Sequence, residues 1–410
     1  MIDTAKRARR LIRSIILQRR NVAAIFLCVY FLIALVLNLS YTGDQSFVDL
    51  ARSFLAGRLD LVSGSTYDTA PWNGKYYWPF GPLPAVLLMP GVFVFSLFGG
   101  VFYQGYLQFF LGASIAFLCF RIMRVLDFDA RDAWYGVLAF CCASVFLGVF
   151  FIPNYSFFAH VVTVFFLFLA IHEFMGKKRY GLMGLFVGLA MAARPTAVFG
   201  VLFFLGDIIF SRMPLREKVA SLRGLLLPMV GMGILLGWYN YARFGTPFET
   251  GYLLQTLAIP ELIIARAQGL FNIAHIPGNI YYSLLALPSL VFSDGAWAVP
   301  FFRSDPWGMS MFLTSPYLLL LFFFKYKSIQ TKLLIFSIGI TALPLFLYYG
   351  IGYWQFGYRY ALDFFPFLFL LFFKEYKERN KHISPRLRTI IMVSSCANLY
   401  LFVSLLSYHP

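Results

Sequence analysis

Apolar residues in this chain fall mainly into long unbroken runs separated by short polar stretches. The runs 22–41, 104–125, 133–152, 157–175, 224–241, 309–324, 331–352, 358–373 and 388–407 each have the length and character of a membrane-spanning helix. Basic residues recur after every second run. Lys6 to Arg20 precede the first run, Arg121, Arg124 and Arg131 follow the second, and Lys177, Lys178 and Arg179 follow the fourth. Lys325, Lys327 and Lys332 follow 309–324, and Lys374 to Arg388 follow 358–373. With a cytoplasmic N-terminus, the positive-inside bias places these clusters on one face. Residues 81–98, GPLPAVLLMPGVFVFSLF, are apolar enough to span, but counting them would invert every later loop. Together with Pro82, Pro84 and Pro90 this predicts a helix lying in or dipping into the outer leaflet. Residues 181–211 lie between two basic segments and must cross an even number of times, which predicts two short helices meeting near Ala193-Arg194-Pro195. The pattern therefore predicts an all-α polytopic membrane protein with about 11 transmembrane helices and its C-terminus outside.

The outward connections are unequal. A first outer loop, 42–103 with the 81–98 helix included, and a second, 242–308, are long, and the others are brief. Long loops without repeats usually carry function. In the first, Phe47, Leu50, Ala51, Phe54 and Leu55 share one helical face, which predicts a short juxtamembrane helix. In the second, 259–271 and 279–292 predict further surface-lying helices. The 1–410 chain reads as a single membrane domain with its work at the outer interface.

Composition agrees with lipid as the main solvent: 60% of the 410 residues are hydrophobic and only 13% charged. The formal net charge of +16 would suit nucleic acid, but its one-sided distribution points to topology and anionic headgroups instead. The five cysteines lie inside apolar runs and show neither zinc nor disulfide spacing. The basic N-terminus with its long apolar run reads as an uncleaved first span.

The candidate chemistry begins with Asp44 at the exit of the first run. An acid there is a favoured helix N-cap, and it is equally placed to be a general base at the water–lipid boundary. Arg194 lies at the apex of the 181–211 hairpin. A guanidinium at bilayer depth costs about 2.5–3.5 kcal/mol, so it marks a site unless it snorkels. Arg359, among Trp354, Tyr358 and Tyr360, has the same claim, against an interfacial belt with an Arg359–Asp363 pair one helical turn apart. His160 is either a ligand contact or a structural histidine. Trp72, Tyr76, Tyr77 and Trp78 suit stacking on a ligand or an aromatic belt, and Asp68 and Glu249 suit ligand contacts or caps.

Several stretches together carry a resemblance. The early acid is followed by A-R-x-x-L-x-x-G-R-L and by Y-D-x-A-x-x-N-G-K-Y-Y-x-P-x-G-P-L-P at 67–84. Then come A-A-R-P-T at 192–196, N-Y-A-R-F-G-T-P-F-E-T-G-Y at 240–252, G-M-S-M-F-L-T-S-P at 308–316 and F-G-Y-R-Y-A-L-D-F-F-P-F at 356–367. In this order they resemble the GT-C glycosyltransferases, in particular the group of protein O-mannosyltransferases and lipid A aminoarabinose transferases. The resemblance implies an inverting enzyme at the outer face that moves a sugar from a polyprenyl-phosphate donor to a glycan, lipid or protein acceptor. It implies Asp44 as the base, and Arg194, Arg359 and Lys75 as ligands of the donor phosphate. Asp68, His160, Tyr77, Trp78 and Glu249 become sugar or acceptor contacts. Many relatives carry a second acid beside the first. Gln45 stands there instead, which argues against a divalent metal, so no cofactor is expected. A bacterial plasma membrane is the expected location, with membrane lipid and no nucleic acid as partner. Two other readings compete. A lipid flippase or transporter is suggested by the broken hairpin, although no internal repeat is seen. The other is a non-catalytic subunit of a glycan assembly system.

Overall fold

The structure, a computed structural model, describes residues 22–61, 67–293 and 296–406. The basic segment Lys6 to Arg20 lies outside them. The architecture is mostly helical. Six described helices are long and apolar enough to cross a membrane: Val22–Ser40, Gln104–Val125, Tyr155–Met175, Leu215–Phe244, Ile329–Leu347 and Pro385–Leu406. Tyr155–Met175 is buried along most of its length, while Leu215–Phe244 presents Leu227, Ile234, Leu235 and Trp238 outward. The middle of each helix is apolar on every face, because lipid and core are equally undemanding solvents for Leu and Phe, while charged residues lie toward the ends.

Three of the sequence runs are divided where one straight helix was expected. Residues 133–152 form Ala130–Cys141 and Phe146–Phe151, with a break between them. Carbonyls freed at the break take side-chain donors from other helices: Tyr317 Oη to Ala139 O (3.2 Å), Tyr30 Oη to Cys141 O (3.0 Å) and Asn398 Nδ2 to Cys142 O (3.0 Å). Non-helical backbone at membrane depth is tolerable only when satisfied in this way. Residues 309–324 become the single turn Met311–Thr314 and the 3-10 helix Pro316–Phe323. Residues 358–373 begin as the 3-10 turn Arg359–Asp363 before the helix Phe365–Arg379.

The predicted hairpin is present: Tyr180–Ala193 and Val201–Phe210 flank the 3-10 segment Pro195–Gly200, with Arg194 at the corner. The 81–98 segment forms Leu83–Leu97, 15 residues long. At 1.5 Å per residue that is about 22 Å, short of a bilayer's hydrocarbon core of about 30 Å. The early helix Ser46–Leu55 is also as expected, but its apolar face meets protein, with Phe47 edge-on to Trp78 and Phe158.

Two strand pairs were not expected. Ala70–Trp72 and Lys75–Tyr77 form a hairpin around Asn73 and Gly74, both left-handed, with φ of +48° and +73°. In the second loop Pro260–Ala267 is helical, but the predicted 279–292 helix is not. It stops at the π-turn Tyr281–Leu285 ahead of Pro288, and Ser289–Ser293 then pairs with Ala296–Arg303. Proline cannot continue the helix, and the residues that follow are β-branched and aromatic.

One close approach fixes the first loop against the hairpin. A Cβ on Gly81 would lie 2.2 Å from Ala192 O and 2.7 Å from Ala193 O, immediately before Arg194. Gly81→Ala is expected to cost about 1–3 kcal/mol through overpacking, read as a lower thermal midpoint in detergent. An unchanged midpoint would contradict this contact.

Candidate functional site

Two arginines, Arg359 buried and Arg194 half-buried, line one cavity, and they are compensated differently. Arg194 is held by a carboxylate from far along the chain: Nε donates to Asp363 Oδ1 (2.7 Å) and Nη2 to Asp363 Oδ2 (3.0 Å). Thr196 Oγ1 also donates to Asp363 Oδ2, and His160 Nδ1 lies 3.6 Å from Oδ1. This bidentate pair cancels the Arg194 charge. The expected Arg359–Asp363 pair is therefore corrected, because Asp363 belongs to Arg194. In a 3-10 turn, with three residues per turn, positions i and i+4 no longer share a face.

Arg359 has no such partner. Nη1 donates to the neutral Gln355 Oε1 (2.8 Å) and to Tyr353 O (3.4 Å), and Nε has no hydrogen-bond partner. The side chain is buried, with its guanidinium over the Phe157 and Tyr360 rings, and among the described residues no carboxylate is within ion-pair distance. It is a cation without an ion-pair partner among the described residues, although Asp68 lines the same cavity.

Both arginines line a cavity of about 560 Å³. The hairpin apex supplies Arg194, Pro195 and Thr196, and the start of the Tyr155–Met175 helix supplies Asn154, Tyr155 and Ser156. The first loop adds Asp68 and Phe80, and the second adds Thr250 to Leu262 in part, with Leu270 and Phe271. Tyr348, Tyr349, Tyr353, Trp354 and Tyr360 complete the wall. The second loop is tied at both ends. Thr256 N donates to Thr69 O (2.9 Å) and Asp68 N to Thr256 O (2.9 Å), while Tyr349 N donates to Leu270 O (3.0 Å) and Asn272 N to Leu347 O (2.8 Å).

Asp68 is the carboxylate on this wall. It sits in the left-handed region (φ +58°), an unusual place for a residue other than glycine. Its Oδ2 accepts from Tyr155 Oη and its Oδ1 from Gln255 Nε2 (2.8 Å), so both oxygens are engaged.

Asp44 stands behind that wall, not among the lining residues, yet close enough for its charge to act on Asp68 and Tyr155. The residue is half-buried and does not cap the helix: Gln45 occupies the N-cap position, and Asp44 Oδ1 accepts from Ser46 N (3.0 Å) and Ser46 Oγ (2.6 Å). Burial pushes its carboxyl above the ordinary carboxylate range, with the Ser46 hydrogen bonds opposing. Gln104 holds the segment in place. Its Nε2 bridges Asp44 O (2.8 Å) and Pro153 O, and its backbone N donates to Gln45 Oε1 (2.9 Å). Gln45 thus caps another helix.

The remaining sequence candidates lie elsewhere. Lys75 is an exposed hairpin residue 3.7 Å from Asp60, which also pairs with Arg58 (2.5 Å), and it does not line the cavity. Trp78 is wholly buried among Phe47, Phe80 and Tyr155, and Tyr77 packs on Phe244, so neither offers a free ring to a sugar. Glu249 Oε1 closes a local turn onto Gly251 N (2.6 Å). His160 is buried behind Asp363 and does not reach the lining. Tyr252, Gln255, Gln355 and Asp363 were missed as site residues. Only Asp363 left a signal, as a rare acid inside an apolar run.

No protein-family model and no curated protein matches the sequence. Among solved structures the chain is similar to the apo crystal structure of the Archaeoglobus fulgidus oligosaccharyltransferase, with a TM-score of 0.47 and 12% identity over 95% of this chain and 56% of that one. The same archaeal enzyme, AglB, in complex with an inhibitory peptide and a dolichol-phosphate gives a TM-score of 0.41 and 13% identity, over 92% and 55%. A third structure, tethered to an acceptor peptide, gives 0.43 and 13%, over 94% and 55%. The chain thus spans about half the length of these structures, which are of a GT-C glycosyltransferase.

Proposed function

We propose that the protein is an integral membrane glycosyltransferase that takes a sugar from a polyprenyl-phosphate carrier and transfers it, with inversion, to an acceptor hydroxyl at the outer face. The observation that carries this reading is Arg359, a buried guanidinium without an acid partner that opens onto an aromatic cavity. A buried unpaired cation is costly unless an anion completes it, and a phosphate at the mouth of a membrane site is such an anion. The tyrosines and Trp354 around it offer flat apolar faces with polar edges, suited to sugar rings.

In the proposed reaction the acceptor O–H gives its proton to Asp44 as its oxygen bonds to the anomeric carbon. The carbon–oxygen bond to phosphate breaks, and the departing prenyl phosphate keeps the electron pair beside Arg359. Asp44 is taken as the base from the first-loop acid of the resemblance; burial raises its basicity, and because it lies outside the cavity lining the acceptor hydroxyl must reach it past Asp68 and Tyr155. Asp68, with both oxygens hydrogen-bonded, suits acceptor or sugar recognition. Arg194 enters as a neutralised pair that shapes the cavity floor. No metal is invoked, since Gln45 replaces the second acid. The acceptor class stays broad, as glycan, lipid or protein hydroxyl. A bacterial plasma membrane with a cytoplasmic N-terminus is the proposed setting.

Purified protein supplied with polyprenyl-phosphate sugars and candidate acceptors tests the reading directly. Arg359→Met is expected to weaken prenyl-phosphate binding about 10–100-fold, the worth of a charged hydrogen-bond pair, with the fold retained. Movement of labelled lipid between leaflets without any new glycosidic bond would replace the enzyme with a flippase.

A further inference from the structure

Arg194 is held by Asp363, Arg379 by Glu375 and Arg388 by Asp132, whereas buried Arg243 donates to Trp78 O and Asn240 Oδ1 but does not line the cavity. Arg359 is held by an amide. Gln355 is wholly buried, and each of its polar atoms is used. Nε2 donates to Trp307 O (2.7 Å) and Ile351 O (2.9 Å), which leaves Oε1 turned to Arg359 Nη1 at 2.8 Å.

The surrounding backbone is shaped to fit this contact. Gly352 has φ +97°, and a Cβ there would lie 2.6 Å from Gln355 Oε1, 2.7 Å from its Nε2 and 2.8 Å from Arg359 Nη1. Gly308, at φ +112°, leaves room on the other side, where a Cβ would be 3.0 Å from Gln355 Nε2. Left-handed backbone is cheap only for glycine. Two such residues therefore crowd around one amide, and that amide orients a guanidinium without cancelling its charge.

We propose that Gln355 is a positioning residue that fixes Arg359 toward the cavity while keeping its charge available to an anionic ligand, here the phosphate of the lipid carrier. Glutamate has the same shape and would supply the counter-charge itself, at the cost of the two donations to Trp307 O and Ile351 O. The site would then be electrically closed to phosphate. This inference rests on Arg359 as the phosphate ligand, so its test must separate the two.

Binding of geranyl phosphate to the purified full-length protein in detergent is measured for wild type and for Arg359→Met, Gln355→Glu and Gln355→Met, each with its thermal midpoint. Gln355→Glu is expected to bind about 10–100-fold more weakly, as Arg359→Met does. Gln355→Met, which removes the Oε1 acceptor and both Nε2 donations but adds no charge, is expected to lose about 2–10-fold, with a lower midpoint because Trp307 O and Ile351 O lose their donor. The order Glu worse than Met separates charge cancellation from simple loss of packing. Wild-type affinity in Arg359→Met overturns the phosphate assignment, and this proposal with it. Lost affinity in Arg359→Met with wild-type affinity in folded Gln355 variants overturns the Gln355 role alone. If Gln355→Glu does not fold, Gln355→Met decides: weaker binding by the folded variant, measured well below its midpoint, supports the role, and wild-type binding ends it.

Discussion

Asp44→Asn is expected to lower sugar transfer by about 10²–10⁴-fold, the usual contribution of a general base, while geranyl phosphate still binds. The substitution is nearly isosteric. An amide oxygen can still accept from Ser46 N and Oγ, and the hold on the Asp44 carbonyl by Gln104 involves only backbone. Loss of turnover therefore reports the missing base and not a displaced loop. Two pH effects follow from the raised carboxyl. A base works when deprotonated, so the acid limb of kcat/KM should lie above that of an exposed carboxylate. For stability the sign is the reverse of the usual paired aspartate. The folded state keeps the Asp44 proton to higher pH than the unfolded chain does, so this group's contribution falls as pH rises from the unfolded value through the folded one. Asp44→Asn, with no charge to desolvate, should then melt slightly higher than wild type at neutral pH and no higher in acid. An inactive protein that is no less stable is the pattern of a functional residue held at a cost. Normal transfer by Asp44→Asn, with transfer lost in Asp68→Asn, would move the base to the cavity wall.

The sequence disclosed the parts of this fold that depend on local chemistry. The long spans, the Arg194 corner and the amphipathic Ser46–Leu55 helix were legible, because apolar length, Arg-Pro and a one-sided apolar face are local signals. Two hairpins were legible in principle. Asn73-Gly74 and Asp294-Gly295 are strong turn pairs, but the flanks of the first register only as a motif, and the apolar character of 279–292 favours a helical reading. The division of 133–152 could not be read, since it depends on Tyr30, Tyr317 and Asn398 reaching one stretch of backbone from three distant helices. For the same reason a local reading pairs Asp363 with its neighbour Arg359. The true partner lies 169 positions away, and only the 3-10 geometry of 359–363 removes the local alternative. That error bears on function, because it hid which arginine keeps its charge.

Asp363→Leu tests this division of labour most severely. Removing one member of a buried ion pair leaves the other charge unsolvated, and is expected to cost about 3–5 kcal/mol. The loss should be visible as a large fall in thermal midpoint in detergent. The stranded group would be Arg194, whose Nε and Nη2 both depend on Asp363, while Thr196 would lose its acceptor as well. Adding Arg194→Met to Asp363→Leu should recover most of the midpoint, since two apolar side chains replace the pair without an orphaned charge. The double variant also discriminates between the two arginines. If Arg359 is the cation that meets phosphate, geranyl phosphate should bind the recovered double variant within about tenfold of wild type, a change of no more than about 1.4 kcal/mol. If Arg194 were the principal ligand, the double variant would fold and fail to bind. Asp363→Leu alone, where it folds, would then bind more tightly than wild type, because a freed guanidinium would face the cavity. The structure favours the first outcome for a simple electrostatic reason: an arginine already chelated by a carboxylate has little charge left to offer, whereas one held by an amide has nearly all of it.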